Sequence, residues 1–203
     1  MTPLMTREAL PEPARMKWTR DQYYSLLDSD ALNEDTKVEL IGGEIITEGM
    51  LDRMTQGSKH SAEVGMVRDL VAPVAPSDSC IRVQVPLSLG VDSDPEPDIA
   101  VVAGSQRDYL ERLPTTALLV IEVSDTTLRF DRTYKASLYA SARIPEYWIV
   151  NLPDRRLEVH REPVTDSDQP FGHRYASVMA YSQEETITPL GAKAGILVKD
   201  LLP

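Results

Sequence analysis

The stretch Ala117-Leu118-Leu119-Val120-Ile121-Glu122-Val123-Ser124 decides the fold, because it is an apolar run interrupted by a single carboxylate. A nearly continuous apolar run is typical of a central β-strand that is covered on both faces. Side chains alternate along a strand, so Val120, Glu122 and Ser124 share one face. A carboxylate in the interior costs several kcal/mol of stability unless it is paired, protonated or bound to a cation. Glu122 is therefore either a functional residue or a residue near the strand end that reaches solvent or a structural arginine.

The segments on either side of this strand alternate between helix and strand patterns. Helices are predicted after an N-cap at Thr19, over 58–74 and over 128–143, because apolar residues recur there at three- and four-residue steps. Two β-prone runs joined by Gly42-Gly43 predict a hairpin. The other strands are predicted at 81–89, 98–103, 147–150, 157–160 and in the C-terminal tail, with a polar loop over 163–174. This order predicts an α/β or α+β fold in which helices pack on a sheet.

The composition is that of a soluble globular protein and excludes several classes. The 203 residues suit a flexible, proline-containing arm over 1–16 and a single domain over 17–203. One cysteine, Cys80, excludes a disulfide framework within the chain and a cysteine-based zinc site. No apolar run approaches the ~20 residues that span a bilayer, and the first residues lack the apolar core of a signal peptide. We therefore expect a cytoplasmic protein without a membrane partner.

The net charge of −11 argues against a surface that coats nucleic acid unaided. Affinity for a phosphate backbone comes mainly from lysine and arginine side chains that displace counterions. An acidic chain can still carry a local basic patch, or carboxylates that bound cations neutralise. The charge thus lowers the expectation of a nucleic-acid enzyme without excluding one.

Asp98 is a second acidic residue whose position suggests chemistry. It opens a predicted strand directly after Pro97, so it lies at an end of the sheet. A lone Pro-Asp pair is more often a turn or a strand cap than a ligand. Two adjacent strands that each present one carboxylate to a common end of the sheet form a hard-oxygen site suited to Mg²⁺ or Mn²⁺. Asp98 and Glu122 together meet that description.

Lys135 lies on the predicted helix that follows the Glu122 strand, one turn beyond Asp131. One interpretation is an exposed ion pair between these two residues, worth ~0.3–0.5 kcal/mol. The other is a lysine close to two carboxylates, where it orients a water molecule or neutralises charge that develops on a phosphate. The same helix carries a basic stretch that is either a solvated face or a contact surface for a nucleic-acid backbone: Arg129, Arg132 and Arg143.

Several separate motifs, in the order in which they occur, resemble the Uma-two family of restriction-endonuclease-like proteins, which belongs to the PD-(D/E)XK nuclease superfamily. The resemblance covers the chain from about Trp18 to the C-terminus. It implies a mixed central sheet flanked by helices and divalent-metal-dependent cleavage of phosphodiester bonds. The motifs are Val38-Glu39-Leu40-Ile41-Gly42-Gly43-Glu44, His60, Pro97-Asp98, Ile121-Glu122-Val123-Ser124, Asp131-Arg132-Thr133-Tyr134-Lys135, Tyr139 and Glu146-Tyr147-Trp148-Ile149-Val150.

The resemblance also implies roles for individual residues. Asp98 and Glu122 match the two acids of the motif and are the expected ligands of Mg²⁺ or Mn²⁺. The superfamily places a lysine two residues after the second acid, where this chain has Ser124, and Lys135 is the match for a lysine that has migrated to the following helix. Glu39 and His60 match further family positions near the site. Their alternatives are a hairpin ion pair and a helix-start residue that bonds a backbone carbonyl.

These observations predict a Mg²⁺-dependent endonuclease that hydrolyses phosphodiester bonds in DNA. The alternative is a catalytically silent module that binds nucleic acid or protein on the same fold, which the acidic charge and Ser124 favour. A third interpretation treats the acidic residues as structural ion pairs. A homodimer is expected because nucleases that cut both strands often act as two-fold dimers.

Overall fold

The computed structural model describes residues 16–29, 31–32, 37–47 and 53–202, with side chains described from residue 58 in the last range. The chain begins with helix α1 (Arg20–Leu27), hairpin strands β1 (Val38–Ile41) and β2 (Glu44–Thr47), and helix α2 (Arg53–Val71). Thr19 caps α1 through its side chain, as the sequence predicts. Gly42 and Gly43 both have positive φ, which the tight turn between β1 and β2 requires.

Six strands form the central sheet in the order β3-β4-β5-β6-β7-β8. They are β3 (Ser79–Val83), β4 (Ile99–Ala103), β5 (Leu119–Ser124), β6 (Glu146–Asn151), β7 (Arg156–Thr165) and β8 (His173–Tyr181). Only β5 and β6 are parallel neighbours; the other pairs are antiparallel. The sheet is therefore mixed, and the predicted α/β architecture with a mixed central sheet, an N-terminal helix and a hairpin is confirmed.

A continuous helical segment crosses over between the parallel strands β5 and β6, as parallel pairing requires. It consists of α3 (Leu128–Phe130), a π-helical turn (Asp131–Lys135) and α4 (Ala136–Ser141). The smaller elements are short strands β9 (Thr186–Ile187) and β10 (Ile196–Leu197) and 3₁₀ turns at Gln106–Tyr109 and Val198–Leu201. No helix within the described ranges is long and apolar enough to cross a membrane.

The core around the sheet has two parts, one on each face, and a third, smaller cluster joins α1 to β1 through Tyr23, Val38 and Leu40. On one face, α2 places Val64, Val67 and Val71 against the odd-numbered β5 residues that include Ile121. On the other, α4 packs with Val120 and the strands around it. The alternation predicted for the β5 run is confirmed. The β6 aromatic residues Tyr147 and Trp148 are fully buried in this core.

Several predicted boundaries are wrong, each for a physical reason. The strand predicted over 81–89 ends at Val83, because Gln84 turns the chain with a φ of 49°; the strand-like pattern beyond it comes from buried loop residues such as Leu87. The polar loop predicted over 163–174 is instead a long hairpin, in which Pro163 pairs with Tyr175 and only 166–172 connect the strands. The helix predicted over 58–74 spans Arg53–Val71. Of the arm predicted over 1–16, residues 1–15 lie outside the described part.

Candidate active site

Asp98 and Glu122 face each other across two neighbouring strands. The β4–β5 register pairs Ile99 with Ile121, so the next position places Asp98 opposite Glu122. The Asp98 backbone N–H donates to Glu122 Oε2 at 3.3 Å, and the Val123 N–H donates to Asp98 Oδ2 at 2.8 Å. Asp98 is 8% exposed and Glu122 4%. The interpretation of Glu122 as a solvent-exposed or arginine-paired strand end is therefore wrong.

Lys135 lies between two glutamates. Its Nζ is 3.0 Å from Glu122 Oε1 and 3.3 Å from Glu39 Oε1, and the residue is only 5% exposed. The alternative of an exposed ion pair with Asp131 is wrong, because the π-helical turn inserts an extra residue between successive hydrogen-bonded positions. That insertion rotates the end of the turn, so Lys135 points into the core and reaches the Glu122 strand.

Glu39 and His60 complete the group of five candidates. Glu39 lies on β1 and accepts from the Glu96 backbone N–H at 3.2 Å as well as from Lys135. The expected alternative, a hairpin ion pair, is therefore not its role. His60 Nε2 lies 2.8 Å from Asp98 Oδ1, and its side chain is 34% exposed. Residues from β1, α2, β4, β5 and the π-helical turn thus meet at one end of the sheet.

Burial and neighbouring charges shift the pKa values of these groups in opposite directions. Burial works to raise the pKa of Asp98, but the bond to His60, the Val123 N–H and the Lys135 charge hold it below its ordinary value. Burial raises the pKa of Glu122 well above its ordinary value against the opposing charge of Lys135, and the Asp98 carboxylate adds to the rise. Burial disfavours a charged Lys135, yet Glu122 and Glu39 raise its pKa well above the usual range. The site therefore keeps a lysine cation beside a carboxylate that resists ionisation.

Sequence reasoning missed several residues that hold the carboxylates in place. The Tyr139 hydroxyl donates to Glu122 Oε1 at 2.7 Å from the buried face of α4. Gln84 donates to Asp98 Oδ1 at 3.3 Å from its positive-φ position after β3. Tyr139 belongs to the family motifs, so the resemblance contained a signal for it. Nothing in the local pattern around Gln84 distinguishes it from an ordinary polar residue.

Ser124 lies where the superfamily motif is expected to place a lysine, and its side chain has a different role. Its hydroxyl donates to Asp131 Oδ2, which also accepts from the Thr127 hydroxyl at 2.6 Å. Asp131 is 2% exposed and is the first residue of the π-helical turn. The Ser124–Asp131 hydrogen bond therefore connects the end of β5 to the π-helical turn that ends at Lys135.

The three candidate nucleic-acid arginines are not brought together. Arg132 forms an ion pair with Glu158 near the start of β7. Arg143 donates to the Pro163 carbonyl at 3.0 Å. Pro163 lies five residues beyond Glu158 on β7, so these two β7 residues are about 17 Å apart. Arg129 is exposed and forms no ion pair with a described residue. These side chains form no single basic patch.

The carboxylates leave room for a cation. Two ionised carboxylates offer about eight acceptor positions, four each. Asp98 accepts from His60, Gln84 and Val123, and Glu122 accepts three bonds as well. About one position therefore remains on each carboxylate. Among the described residues, no three His, Cys, Asp or Glu side chains are arranged to hold a metal ion. Two hard carboxylates fit Mg²⁺, which usually takes one or two protein carboxylates and completes its shell with water and substrate phosphate.

Comparison with known proteins identifies the class. The family model Uma2, described as "Putative restriction endonuclease", matches residues 20–194. The chain therefore belongs to this family, the Uma-two family that its motifs resemble. None of the curated proteins compared with the chain matches it.

A solved structure shares the fold. It is the crystal structure of a protein from Anabaena variabilis ATCC 29413, described as a putative nuclease belonging to DUF820. The TM-score is 0.61 at 16% sequence identity, and the match covers 90% of this chain and 96% of that one. At 16% identity the structural similarity establishes the fold alone. Evidence for an activity must therefore come from the residues of the site.

Proposed function

We propose that the protein is a Mg²⁺-dependent endonuclease that hydrolyses phosphodiester bonds in DNA. The observation that carries the proposal is the group Asp98, Glu122 and Lys135. Two buried carboxylates lie opposite each other on neighbouring strands, and a buried lysine lies 3.0 Å from one of them. Burying two acids and a cation is costly, which a purely structural role does not explain. Membership of a family described as putative restriction endonucleases supports the same conclusion.

Asp98 and Glu122 would hold the metal ion through their remaining acceptor positions. When bound, such an ion lowers the pKa of a water ligand and polarises the scissile phosphate. Tyr139 and Gln84 orient the two carboxylates, and the Val123 N–H fixes the Asp98 rotamer. Each acid is thus held in place before substrate binds, which lowers the cost of reorganisation during the reaction.

Lys135 and His60 supply the remaining chemistry. The Lys135 ammonium is held beside Glu122, where it orients the attacking water or neutralises charge that develops on the phosphate. The His60 side chain contacts Asp98 and is 34% exposed, so it connects the buried carboxylate with the surface. We propose that this imidazole transfers protons between solvent and the site. Glu39 accepts a second hydrogen bond from the Lys135 ammonium at 3.3 Å and helps to hold it beside Glu122.

The test is a nicking assay on supercoiled plasmid and on single-stranded DNA, with Mg²⁺, Mn²⁺ or EDTA. We expect metal-dependent cleavage by the wild type and its loss in Asp98→Ala. Asp69→Ala is the matched control, because Asp69 is a solvent-exposed aspartate on α2 that is 70% exposed in its side chain. It should cleave at the wild-type rate. Equal cleavage by wild type and Asp98→Ala would overturn the assignment of the site.

A second candidate is a catalytically silent module that binds nucleic acid or protein. The net charge of −11 and the lack of a shared arginine patch favour it. It predicts that the folded wild type cleaves neither substrate with any metal. Thermal stabilisation by Mn²⁺ that is lost in Asp98→Ala would then show that the carboxylates still bind a cation. A measurement of DNA cleavage therefore distinguishes the nuclease from the silent binding module.

A further inference from the structure

The two edges of the central sheet differ sharply. The β3 edge is five residues long and is partly covered, since the Gln106 side chain donates to the Ile81 carbonyl at 2.6 Å. The β8 edge is nine residues long, and among the described residues β8 forms its ladder with β7 alone. An open strand edge is a template for pairing with another strand.

The middle of β8 lacks the devices that protect exposed edges. Proteins usually protect an edge with charged residues, proline, a short strand or a covering segment. From Tyr175 to Tyr181 the strand has no charged residue and no proline. Val178 is 53% exposed and Met179 is 56% exposed. Adjacent strand residues point to opposite faces, so the edge is apolar on both faces of the sheet.

The charges at the two ends of β8 indicate which strand it pairs with and in which direction. His173 and Arg174 lie at the start of the strand, and the exposed Glu184 follows its end. Antiparallel pairing of β8 with β8 of a second copy brings each Arg174 to the acidic end of the other strand. With the two-fold axis at Val178, Arg174 lies opposite Ser182 of the second copy, two residues from Glu184 of the second copy. Parallel pairing would place like charges side by side at both ends.

We propose that β8 is the interface of a two-fold homodimer in which the sheets of two copies join into one continuous sheet. The self-complementary strand supplies main-chain hydrogen bonds, and the apolar pair Val178 and Met179 becomes covered. The same patch serves both copies, as a two-fold interface requires. This inference does not depend on nuclease activity.

The first test measures oligomeric state by sedimentation velocity and light scattering. We expect a wild-type dimer and a largely monomeric Val178→Lys, with the dissociation constant raised at least about tenfold, because each change counts twice at a two-fold interface. Leu110→Lys is the matched control, since Leu110 is 80% exposed directly after the Gln106–Tyr109 turn, which contacts β3 at the opposite edge of the sheet, and it should remain dimeric. Circular dichroism shows that each variant is folded. A monomeric wild type, or a Val178→Lys that dimerises as the wild type does, would overturn the proposal.

A charge exchange tests the antiparallel direction. Arg174→Glu alone and Glu184→Lys alone each place two like-charged contacts at the interface, so each should weaken self-association. An equimolar mixture of the two variants restores opposite charges at both contacts and should form a heterodimer with close to wild-type affinity. Arg174 also pairs with Asp166 of its own chain at 2.9 Å, and loss of that pair would not be repaired by mixing. No recovery in the mixture would therefore overturn the antiparallel interface.

Discussion

At the scale of single residues, the charge balance of the buried site depends on Lys135. Its ammonium contacts two glutamates, and the described site contains no other lysine or arginine that contacts Glu122. Removing one partner of a buried ion pair leaves an uncompensated charge, which costs about 3–5 kcal/mol of stability. The lysine is thus required both for the fold and for the proposed chemistry.

We expect Lys135→Met to lower the free energy of unfolding by about 3 kcal/mol or more and to slow plasmid nicking at least about 100-fold. Urea unfolding and initial nicking rates measure the two effects. Adding Glu122→Gln should recover part of the stability, because it removes the unpaired carboxylate, and none of the activity. Lys59→Met is the control: its lysine is 70% exposed and pairs with Glu63, so less than about 1 kcal/mol should be lost. Wild-type stability of Lys135→Met would show that Glu122 does not need the cation.

His160 is a second residue whose burial has a measurable consequence. It is 5% exposed between the rings of Tyr147 and Tyr175, and its Nε2 has no hydrogen-bond partner among the described residues. Burial lowers the pKa of His160 to about 4, against the opposing charge of Glu158 and with the help of Arg132. The neutral imidazole is therefore the form that suits the fold.

The unfolded chain binds a proton at His160 more tightly than the folded protein does, so stability falls as the pH drops. The contribution of His160 is complete above pH 6.5, the ordinary pKa of histidine, and is lost as the pH falls from there to about 4. The loss amounts to about 3 kcal/mol, because a tenfold difference in proton affinity between the two states corresponds to about 1.4 kcal/mol. We expect His160→Leu to remove this part of the slope in urea unfolding between pH 7 and 4. A slope unchanged in His160→Leu would contradict the assignment.

At the scale of elements, the π-helical turn explains how a lysine on a helix serves a site built on strands. Its first residue, Asp131, is buried and held by the hydroxyls of Ser124 and Thr127. Its last residue is Lys135. Single π-helical turns within α-helices often mark functional positions, because the extra residue changes which side chains face inwards.

Ser124→Ala should lower the free energy of unfolding by about 1–3 kcal/mol, because the buried Asp131 loses a donor. Nicking should slow as well, since the anchored turn positions Lys135. Thr133→Ala is the control within the same turn: Thr133 is exposed and donates only to the Arg129 carbonyl, so its loss should stay within about 0.5 kcal/mol. Equal effects of the two substitutions, measured by urea unfolding and nicking rate, would contradict a special role for the Ser124–Asp131 bond.

At the scale of the whole molecule, charge limits the DNA binding that the proposed function requires. The net charge is −11, and two of the three candidate arginines already have partners within the chain. Phosphate contacts supply most of the non-specific affinity for a duplex. The proposed nuclease would therefore depend on bound divalent metal, or on a partner protein, to approach the backbone.

In EDTA we expect weak duplex binding whose logarithmic salt dependence is shallower than about −3, since each neutralised phosphate contributes about −0.9. Fluorescence anisotropy with a labelled duplex at increasing salt measures this slope. Arg129→Ala should reduce it by about one phosphate contact, because Arg129 is exposed and forms no ion pair with a described residue. A slope near −6 in EDTA would show a basic surface that the charge distribution does not predict.

The sequence by itself determined that helices pack on a sheet, that β5 is a buried strand with the anomalous Glu122, and which five candidate residues meet at the site. These features are local: a buried strand requires a continuous apolar run, and a hairpin requires glycines with positive φ. The predicted strand and helix positions indicated Asp98 and Lys135, and the family motifs added Glu39 and His60. The structure brings all of them together.

Only the tertiary structure decided how Lys135 reaches the site, which residues support it and where the sheet remains open. A helical pattern does not reveal a π-helical turn, because the turn depends on backbone hydrogen bonds and on the buried Asp131 contact with another strand. The bonds from Tyr139 and Gln84 join residues far apart in the chain. The β8 edge is open because β8 is the last strand of the sheet and, among the described residues, pairs with β7 alone. Such features arise from long-range register and packing, which the local pattern of residues does not encode.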